Sequence, residues 1–314
     1  MADIQDDETK TVSQAAAHAS YPSVGPYRLI QMLGAGGMGE VWRAEQTEPL
    51  QRTVAVKLIK AGMDTKAVVA RFDSERQALA LMEHSNIARV FDAGATPAGR
   101  PYFVMEYAPG LPITDYCDKH QLTIRARLEL FMQVCDGMQH AHQKAIIHRD
   151  LKPSNVLVEE ADGKGVPKII DFGLAKAMGQ RLTEMTMFTE VGAIVGTPAY
   201  MSPEQADLNE RNIDTRTDVY SLGVILYELL VGTLPFRPEE LRELGQGAML
   251  EKICHQEPSC PSTKPRSLGE ASRDSAVKRR EEPKSLEQHL VRRSVFRSVC
   301  LDPNTRTHWL QRAS

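Results

Sequence analysis

Cysteine is scarce in this chain, net charge is small, and long apolar runs are absent. The five cysteines (Cys117, Cys135, Cys254, Cys260 and Cys300) are scattered, with no C-x-x-C pair. An odd count without metal-ligand spacing reads as reduced, mostly buried thiols in a reducing compartment. The formal net charge is -3 at pH 7, so no global field draws the chain toward nucleic acid or acidic lipid. No apolar run reaches the roughly 18 residues that a membrane span requires. Residues 1–10 are acidic and polar, unlike a secretory signal. These absences predict a cytoplasmic chain with no membrane segment and no nucleic-acid partner. No internal repeat is present either. What remains is ordinary for a soluble globular protein: 42% hydrophobic and 25% charged residues over 314 positions. That length suits one large domain or two lobes sharing a cleft.

The pattern along the chain predicts two unequal parts. Residues 1–25 are rich in Asp, Gln, Ser and Ala and read as a disordered arm. Short β-rich runs follow at 27–33, 40–44, 53–59, 88–91 and 102–107, punctuated by Gly and Pro. One helical pattern, about 65–82, interrupts them. Beyond about Gly110 the chain is mainly helical. Residues 123–144 repeat apolar side chains near a 3.6 period, and 219–231 is apolar almost all round, the signature of a buried helix. Gly232 and Pro235 stop it. Residues 257–285 are polar, charged and proline-bearing and are expected to form a long exposed loop.

Several local patterns carry chemistry. Gly34, Ala35, Gly36, Gly37, Met38 and Gly39 fit G-x-G-x-x-G. A dinucleotide fingerprint would open a helix. Here Glu40–Ala44 is a strand pattern instead, so the glycines sit in a strand–turn–strand hairpin. Such a hairpin lets backbone N–H groups approach phosphate oxygens with no Cβ in the way. Val54–Lys57 (VAVK) follows. Lys57 is either a solvated strand end or a cation for the α/β-phosphates. Val68, Phe72, Glu75, Leu79 and Met82 share one helical face. Glu75 on that apolar stripe needs a cationic partner, and Lys57 is the candidate; a stripe-edge Glu75 facing water is the alternative.

The strongest signal is Ile147–Leu157, IHRDLKPSNVL, which matches H-R-D-L-x-x-x-N. Asp150 can accept or orient the proton of an attacking hydroxyl. Lys152 can neutralise charge on a moving phosphoryl group. Asn155 offers a neutral oxygen to a hard divalent cation. Asp171, Phe172 and Gly173 follow a strand-like 168–170, with 159–167 read as a hairpin loop, and Asp171 supplies a second metal ligand. Ser202-Pro203-Glu204 closes a segment, 174–201, poor in apolar anchors. Thr183, Thr186 and Thr189 are candidate phosphate acceptors there by position, Thr189 first, with Arg149 as the basic partner of such a phosphate; plain loop threonines are the alternative. Asp218 at the start of the 219–231 helix is a cap by default, and it can also accept backbone N–H bonds from the 147–152 loop. His84, His140 and His142 show no ligand spacing and read as core or surface residues.

Assembled, these stretches (GAGGMGEVWRA, VAVK, PYFVMEY, IIHRDLKPSNVL, DFGLAK, GTPAYMSPEQ and DVYSLGVILYELLVGTLPF) resemble the bacterial serine/threonine protein kinases of the eukaryotic-like type, from Tyr27 to about Phe236. The resemblance implies an α+β bilobal fold: a kinase domain over 27–306, with a small antiparallel β-sheet N-lobe (27–107) carrying one helix, and a larger, mainly helical C-lobe (108–306). ATP would lie between the lobes, against Leu33, Val41, Ala55 and Leu157, with Met105 as gatekeeper and Glu106, Tyr107 and Ala108 as the hinge. Mg²⁺ would be the ion, with Mn²⁺ as a substitute. Leu79, His148 and Phe172 would form a regulatory spine anchored by Asp218. Lys152 matches the serine/threonine branch. Thr197 matches a threonine held against Asp150 and Lys152, a structural role. Proteins with Ser/Thr acceptors would be the substrates, and a transient homodimer would serve trans-autophosphorylation of the activation loop.

Ser85 and Ala145 depart from the family's usual proline and glycine. Arg306, in LDPNTR, resembles the arginine that pairs with Glu204. Residues 307–314 then form a tail without the usual last helix, so the expectation is a shortened C-lobe. Two other classes compete with an active protein kinase. A non-catalytic binding module of the same fold would bind nucleotide without transfer. A small-molecule phosphotransferase would need no peptide-docking platform such as GTPAYMSPE.

Overall fold

The computed structural model describes residues 22–36, 39–60, 82–172, 198–207, 213–258 and 270–281. Their N-terminal part is a six-stranded sheet of β1 (Ser23–Val24), β2 (Tyr27–Gly36), β3 (Gly39–Gln46), β4 (Arg52–Ile59), β5 (Val90–Ala95) and β6 (Pro101–Glu106), in the order β1-β2-β3-β4-β6-β5. Every pairing is antiparallel. The period of two along β4 sorts its side chains. Val54, Val56 and Leu58 pack with Tyr27, Leu29, Ala44, Tyr102 and Val104 in one cluster. Ala55 and Ile59 instead join Phe103 and Met105 in a core that runs on into the helical part. Lys57 shares that second face, so its side chain is turned toward the junction of the two parts.

Four of the expected strands start and stop within three residues of their predicted positions. The run read at 88–91 is shifted: β5 begins at Val90. The physical reason lies just before it. Ile169 N–H donates to Asn86 O at 2.8 Å, Ala88 N–H donates to Ile169 O at 2.9 Å, and Ile87 forms a parallel bridge with Ile169. Residues 86–88 are therefore stitched to a second sheet before the chain joins the first.

That second sheet is β7 (Leu111–Pro112), β8 (Val156–Ala161) and β9 (Lys164–Ile169), in the order β7-β8-β9. The expected 159–167 loop is thus mostly strand. Only Asp162 and Gly163 turn, both with positive φ (52° and 72°), as a two-residue hairpin requires. Two helices precede it, α1 (Ile113–Lys119) and α2 (Ile124–Gln143). Thr123 caps α2 by accepting from Ala126 N–H. Then come the short α3 (Pro203–Ala206), α4 (Thr215–Val231), α5 (Pro238–Glu243), α6 (Gln246–His255) and α7 (Glu270–Val277).

Three expectations are corrected here. Ser23 and Val24, read as the end of the disordered arm 1–25, form β1, paired with Arg28 and Tyr27 of β2, and Val24 is buried there. The buried helix starts four residues before position 219, at Thr215, and its cap is Asp214, which accepts from Arg216 N–H at 2.8 Å. Asp218 lies within the first turn and is not the cap. The 257–285 segment, expected as exposed loop, contains α7, and Ser275, Ala276 and Arg279 are buried. Its anchor is polar. Arg279 donates to the carbonyls of Glu228, Leu229, Leu230 and Ser275 at 2.7–3.1 Å. Ser275 Oγ donates to Val231 O. These groups satisfy the last carbonyls of α4, which a helix leaves unpaired. Burial and the adjacent Arg127 lower the Arg279 guanidinium to about 10, so it remains a cation at neutral pH. Gly232 ends α4 with φ 85°, and a Cβ there would lie 2.3 Å from Ser275 Oγ. Only glycine serves that left-handed position beside a packed segment.

Candidate active site

A cavity of about 720 Å³ opens where the two parts meet. Leu33, Gly34, Ala35, Gly36, Gly39 and Val41 of the β2–β3 hairpin form one wall, and Leu157 lies on the opposite one. Ala55, Lys57 and Met105 line its depth, with Glu106, Tyr107 and Ala108 along the connecting strand end. Ala55 faces Met105 directly across β4 and β6. Every described residue read from sequence as ATP-binding lines this cavity. Gly37 and Met38 lie outside the described residues.

The β2–β3 hairpin takes its shape from Gly39, whose φ is 142°. A Cβ there would sit 2.0 Å from Leu58 O. The wall can therefore approach β4 closely only because this position has no side chain.

The loop from Ile147 to Asn155 places its polar groups at the far end of the cavity. Asp218, fully buried, organises it. Its carboxylate accepts His148 N–H and Arg149 N–H, both at 2.8 Å, and the His142 Nε2–H at 2.8 Å. His148 Nε2 donates to Ile170 O at 2.9 Å, which leaves Nδ1 to accept Asp150 N–H at 3.3 Å. The His148 ring also rests on Phe172, with centroids 4.8 Å apart. Two non-glycine residues here are left-handed, Arg149 at φ 68° and Asp171 at φ 65°. Such strain costs on the order of 1–3 kcal/mol each and persists only where the surroundings impose it.

The charged groups converge. Lys152 Nζ lies 2.8 Å from Asp150 Oδ2. Asn155 Nδ2 donates to Asp150 O at 2.7 Å and approaches Asp150 Oδ2 at 3.3 Å. Its amide nitrogen is thus engaged, and its carbonyl oxygen is the group it can offer a cation. Ile170 N–H donates to Asn155 O at 2.9 Å, which sets Asn155 beside Asp171. Lys57 Nζ meets Asp171 Oδ2 at 2.8 Å, with the lysine side chain 8% exposed. A carboxylate and an amide oxygen are hard donors suited to a divalent cation with phosphate ligands. The glycine wall and Lys57 suit the phosphates themselves.

Beside the cavity mouth, Pro198–Tyr200 and α3 form a platform. Ser202 caps α3, with Gln205 completing a capping box. Ser202 Oγ lies 3.1 Å from Thr217 Oγ1, and Thr217 Oγ1 donates to Glu204 Oε1 at 3.2 Å. Tyr200 OH donates to Glu228 Oε2 at 2.5 Å. Burial raises the Glu228 carboxyl above its ordinary value, against the lowering effect of that hydrogen bond. Glu106 joins the two parts: Lys168 Nζ lies 2.5 Å from its Oε1, and Arg89 N–H donates to its Oε2 at 3.2 Å.

Some expected participants fall outside the described residues: Glu75 and Leu79, Gly173, Thr183, Thr186, Thr189, Thr197 and Arg306. The Lys57–Glu75 and Glu204–Arg306 pairings fall there with them. Others were missed from sequence. His142, read as core or surface, has a buried side chain, and its bond to Asp218 was not read from sequence. Its spacing of six residues before His148 is the one signal that could have found it. The bonds of Lys168 to Glu106 and of Gln205 to Arg149 carried no local signal, because the partners lie 62 and 56 positions away.

Comparison with known proteins matches this arrangement. The family model for the protein kinase domain covers residues 27–307. The serine/threonine-protein kinase Pkn1 of Myxococcus xanthus is 42% identical over 219 residues, which are 69% of this chain and 30% of Pkn1. The serine/threonine-protein kinase PknB of Mycobacterium tuberculosis is 39% identical over 215 residues, 67% of this chain and 33% of PknB. The chain therefore spans about a third of the length of these relatives. The crystal structure of the M. tuberculosis PknI kinase domain superposes with a TM-score of 0.58 at 22% identity, covering 89% of this chain and all of that one. At that identity the likeness concerns the fold: an antiparallel sheet lobe on a helical lobe.

Proposed function

The chain belongs to the protein kinase family, and on that premise we propose that it transfers the γ-phosphoryl group of ATP to serine or threonine hydroxyls of proteins. Family membership implies ATP and a divalent cation in general terms. Mg²⁺, with Mn²⁺ as a substitute, is our specific assignment. The observation that carries the reading is the convergence of Lys57, Asp150, Lys152, Asn155 and Asp171 at one end of a cavity roofed by glycines. The names of the two relatives, at 42% and 39% identity, support serine and threonine as acceptors.

In this reading the acceptor hydroxyl lies against Asp150, which orients it and takes its proton as the oxygen bonds to phosphorus. The bond between the γ-phosphorus and the β–γ bridging oxygen breaks, and ADP leaves. Lys152 sits 2.8 Å from Asp150 and offsets charge on the moving phosphoryl group. Lys57 steadies the remaining phosphates. Asn155 and Asp171 would hold the divalent cation, which would supply charge neutralisation for the phosphates. Asp218 and His148 keep Asp150 where the hydroxyl arrives. Thr189, with Thr186 second, is the proposed site of autophosphorylation, in trans through a transient homodimer, and Arg149 is the proposed partner of that phosphate. We place the reaction in the cytoplasm, in keeping with Cys117 and Cys135 being buried thiols that form no disulfide. Among the described residues no helix is long and apolar enough to cross a membrane.

The test is phosphate transfer by purified 1–314 with Mg·ATP and a generic Ser/Thr acceptor protein, beside Asp150→Asn, with sites mapped by mass spectrometry. Transfer by wild type alone, with label on Ser or Thr, supports the reading. Nucleotide binding without transfer assigns the chain to a binding module of this fold, and transfer to small alcohols but not to protein assigns it to a small-molecule phosphotransferase.

A further inference from the structure

Arg149 is an awkward residue to hold still. It is left-handed, it carries a side chain, and it immediately precedes Asp150. Its N–H is fixed by Asp218 Oδ1 at 2.8 Å. Its carbonyl is fixed from outside the loop: Gln205 Nε2 donates to Arg149 O at 2.6 Å. That carbonyl belongs to the same rigid peptide plane as Asp150 N–H, which meets His148 Nδ1 at 3.3 Å. The peptide unit entering Asp150 is therefore bonded at both polar ends, and Gln205 makes the shorter of the two bonds.

Gln205 uses its whole amide. Its Oε1 accepts Ser202 N–H at 3.1 Å, completing the capping box, while Nε2 serves Arg149. Ser202 N–H is given an acceptor and Arg149 O a donor by one side chain, which a carboxamide can do and a carboxylate cannot. Glutamate is as good a capping-box residue as glutamine, but as a carboxylate it cannot donate. A helix cap alone therefore does not call for glutamine here; the bond to Arg149 does. Gln205 also lines the cavity alongside Asp150, Pro198, Tyr200 and Met201.

We propose that Gln205 is a positioning residue for Asp150, coupling the 198–206 platform to the orientation of the group that receives the hydroxyl proton. The proposal rests on the phosphoryl-transfer reading for its catalytic meaning, but the coupling is a property of the folded chain and is measurable without turnover.

The experiment compares wild-type 1–314 with Gln205→Glu and Gln205→Leu. The first keeps the cap and loses the donor; the second loses both without adding charge. Steady-state kinetics on a generic protein acceptor, the melting temperature, and backbone hydrogen exchange of residues 146–152 are read together. The expected result for Gln205→Glu is an unchanged melting temperature, kcat lowered about tenfold with little change in KM for ATP, and exchange at 146–152 faster by a similar factor. Gln205→Leu shows the same kcat and exchange effects with a lower melting temperature. Wild-type kcat and wild-type exchange in Gln205→Glu overturn the proposal, as does a lowered kcat in Gln205→Glu that Gln205→Leu does not share, which would assign the effect to added charge. If wild type transfers nothing yet Gln205→Glu loosens 146–152, the coupling stands and the transfer reading falls.

Discussion

Lys57 and Asp171 stand 114 positions apart in sequence and meet at 2.8 Å between Nζ and Oδ2. The pair closes the deep end of the cavity and joins the sheet lobe to the segment after β9. Lys57→Met keeps the length and apolar stem of the side chain and removes the charge. Removing one such electrostatic contact to the reacting group costs on the order of 10²–10³ in rate. The expected outcome is kcat/KM for ATP lower by about that factor, with circular dichroism unchanged, measured by initial rates over a range of ATP concentrations.

Asp218 is fully buried and accepts three hydrogen bonds, two of them from the loop that carries Asp150. Asp218→Ala leaves two backbone N–H groups and the His142 ring without an acceptor. Each orphaned buried donor costs about 1–3 kcal/mol, so a loss of about 3–5 kcal/mol of unfolding free energy is expected. Urea unfolding measures it. A loss below about 1 kcal/mol would show that the loop finds its order elsewhere.

Glu228 gives the protein a pH signature. Burial raises its carboxyl above the ordinary value of 4.5. A raised folded value means that the folded state binds the proton more readily than the unfolded chain. The group's contribution is therefore fully present below about 4.5 and is lost as pH rises through the folded value. Glu228→Gln keeps an acceptor for Tyr200 OH and removes the titration. The variant should melt above wild type at pH 8, and the gap should shrink as pH falls toward 4.5. A gap independent of pH would remove Glu228 as its source.

Gly39→Ala forces a Cβ to within 2.0 Å of Leu58 O at a backbone angle that side chains avoid. The hairpin must move away from β4. A destabilisation of about 2–4 kcal/mol and a weakened ATP affinity are expected together. Gly34→Ala provides the contrast, because a Cβ there meets nothing within 4 Å. Thermal melts and a nucleotide titration of both variants check the pair.

The glycine hairpin, the VAVK strand and the IHRDLKPSN loop were legible because each is written in neighbouring residues: turn chemistry, a period of two, and fixed spacing. The family resemblance added the residues along β6 that line the cavity. What stayed hidden depends on partners far away in the chain. Asp218 looked like a cap because nothing nearby shows that the helix begins at Thr215, under Asp214. Residues 257–285 looked like loop because their polarity is genuine; α7 is held largely by hydrogen bonds from Arg279 and Ser275 to a helix some 45–50 positions earlier. Val90 begins its strand late because Ile87 is claimed by Ile169, which no local pattern records.

The anchoring of α4 by Arg279 also has a bearing on how the chain is made. The carbonyls of residues 228–231 emerge from the ribosome well before the guanidinium and hydroxyl that close them. At 5–20 residues per second, a gap of about 50 residues lasts on the order of 3–10 seconds. For that interval the central helix of the lobe stands with its end open, and chaperones or premature pairing have their chance there.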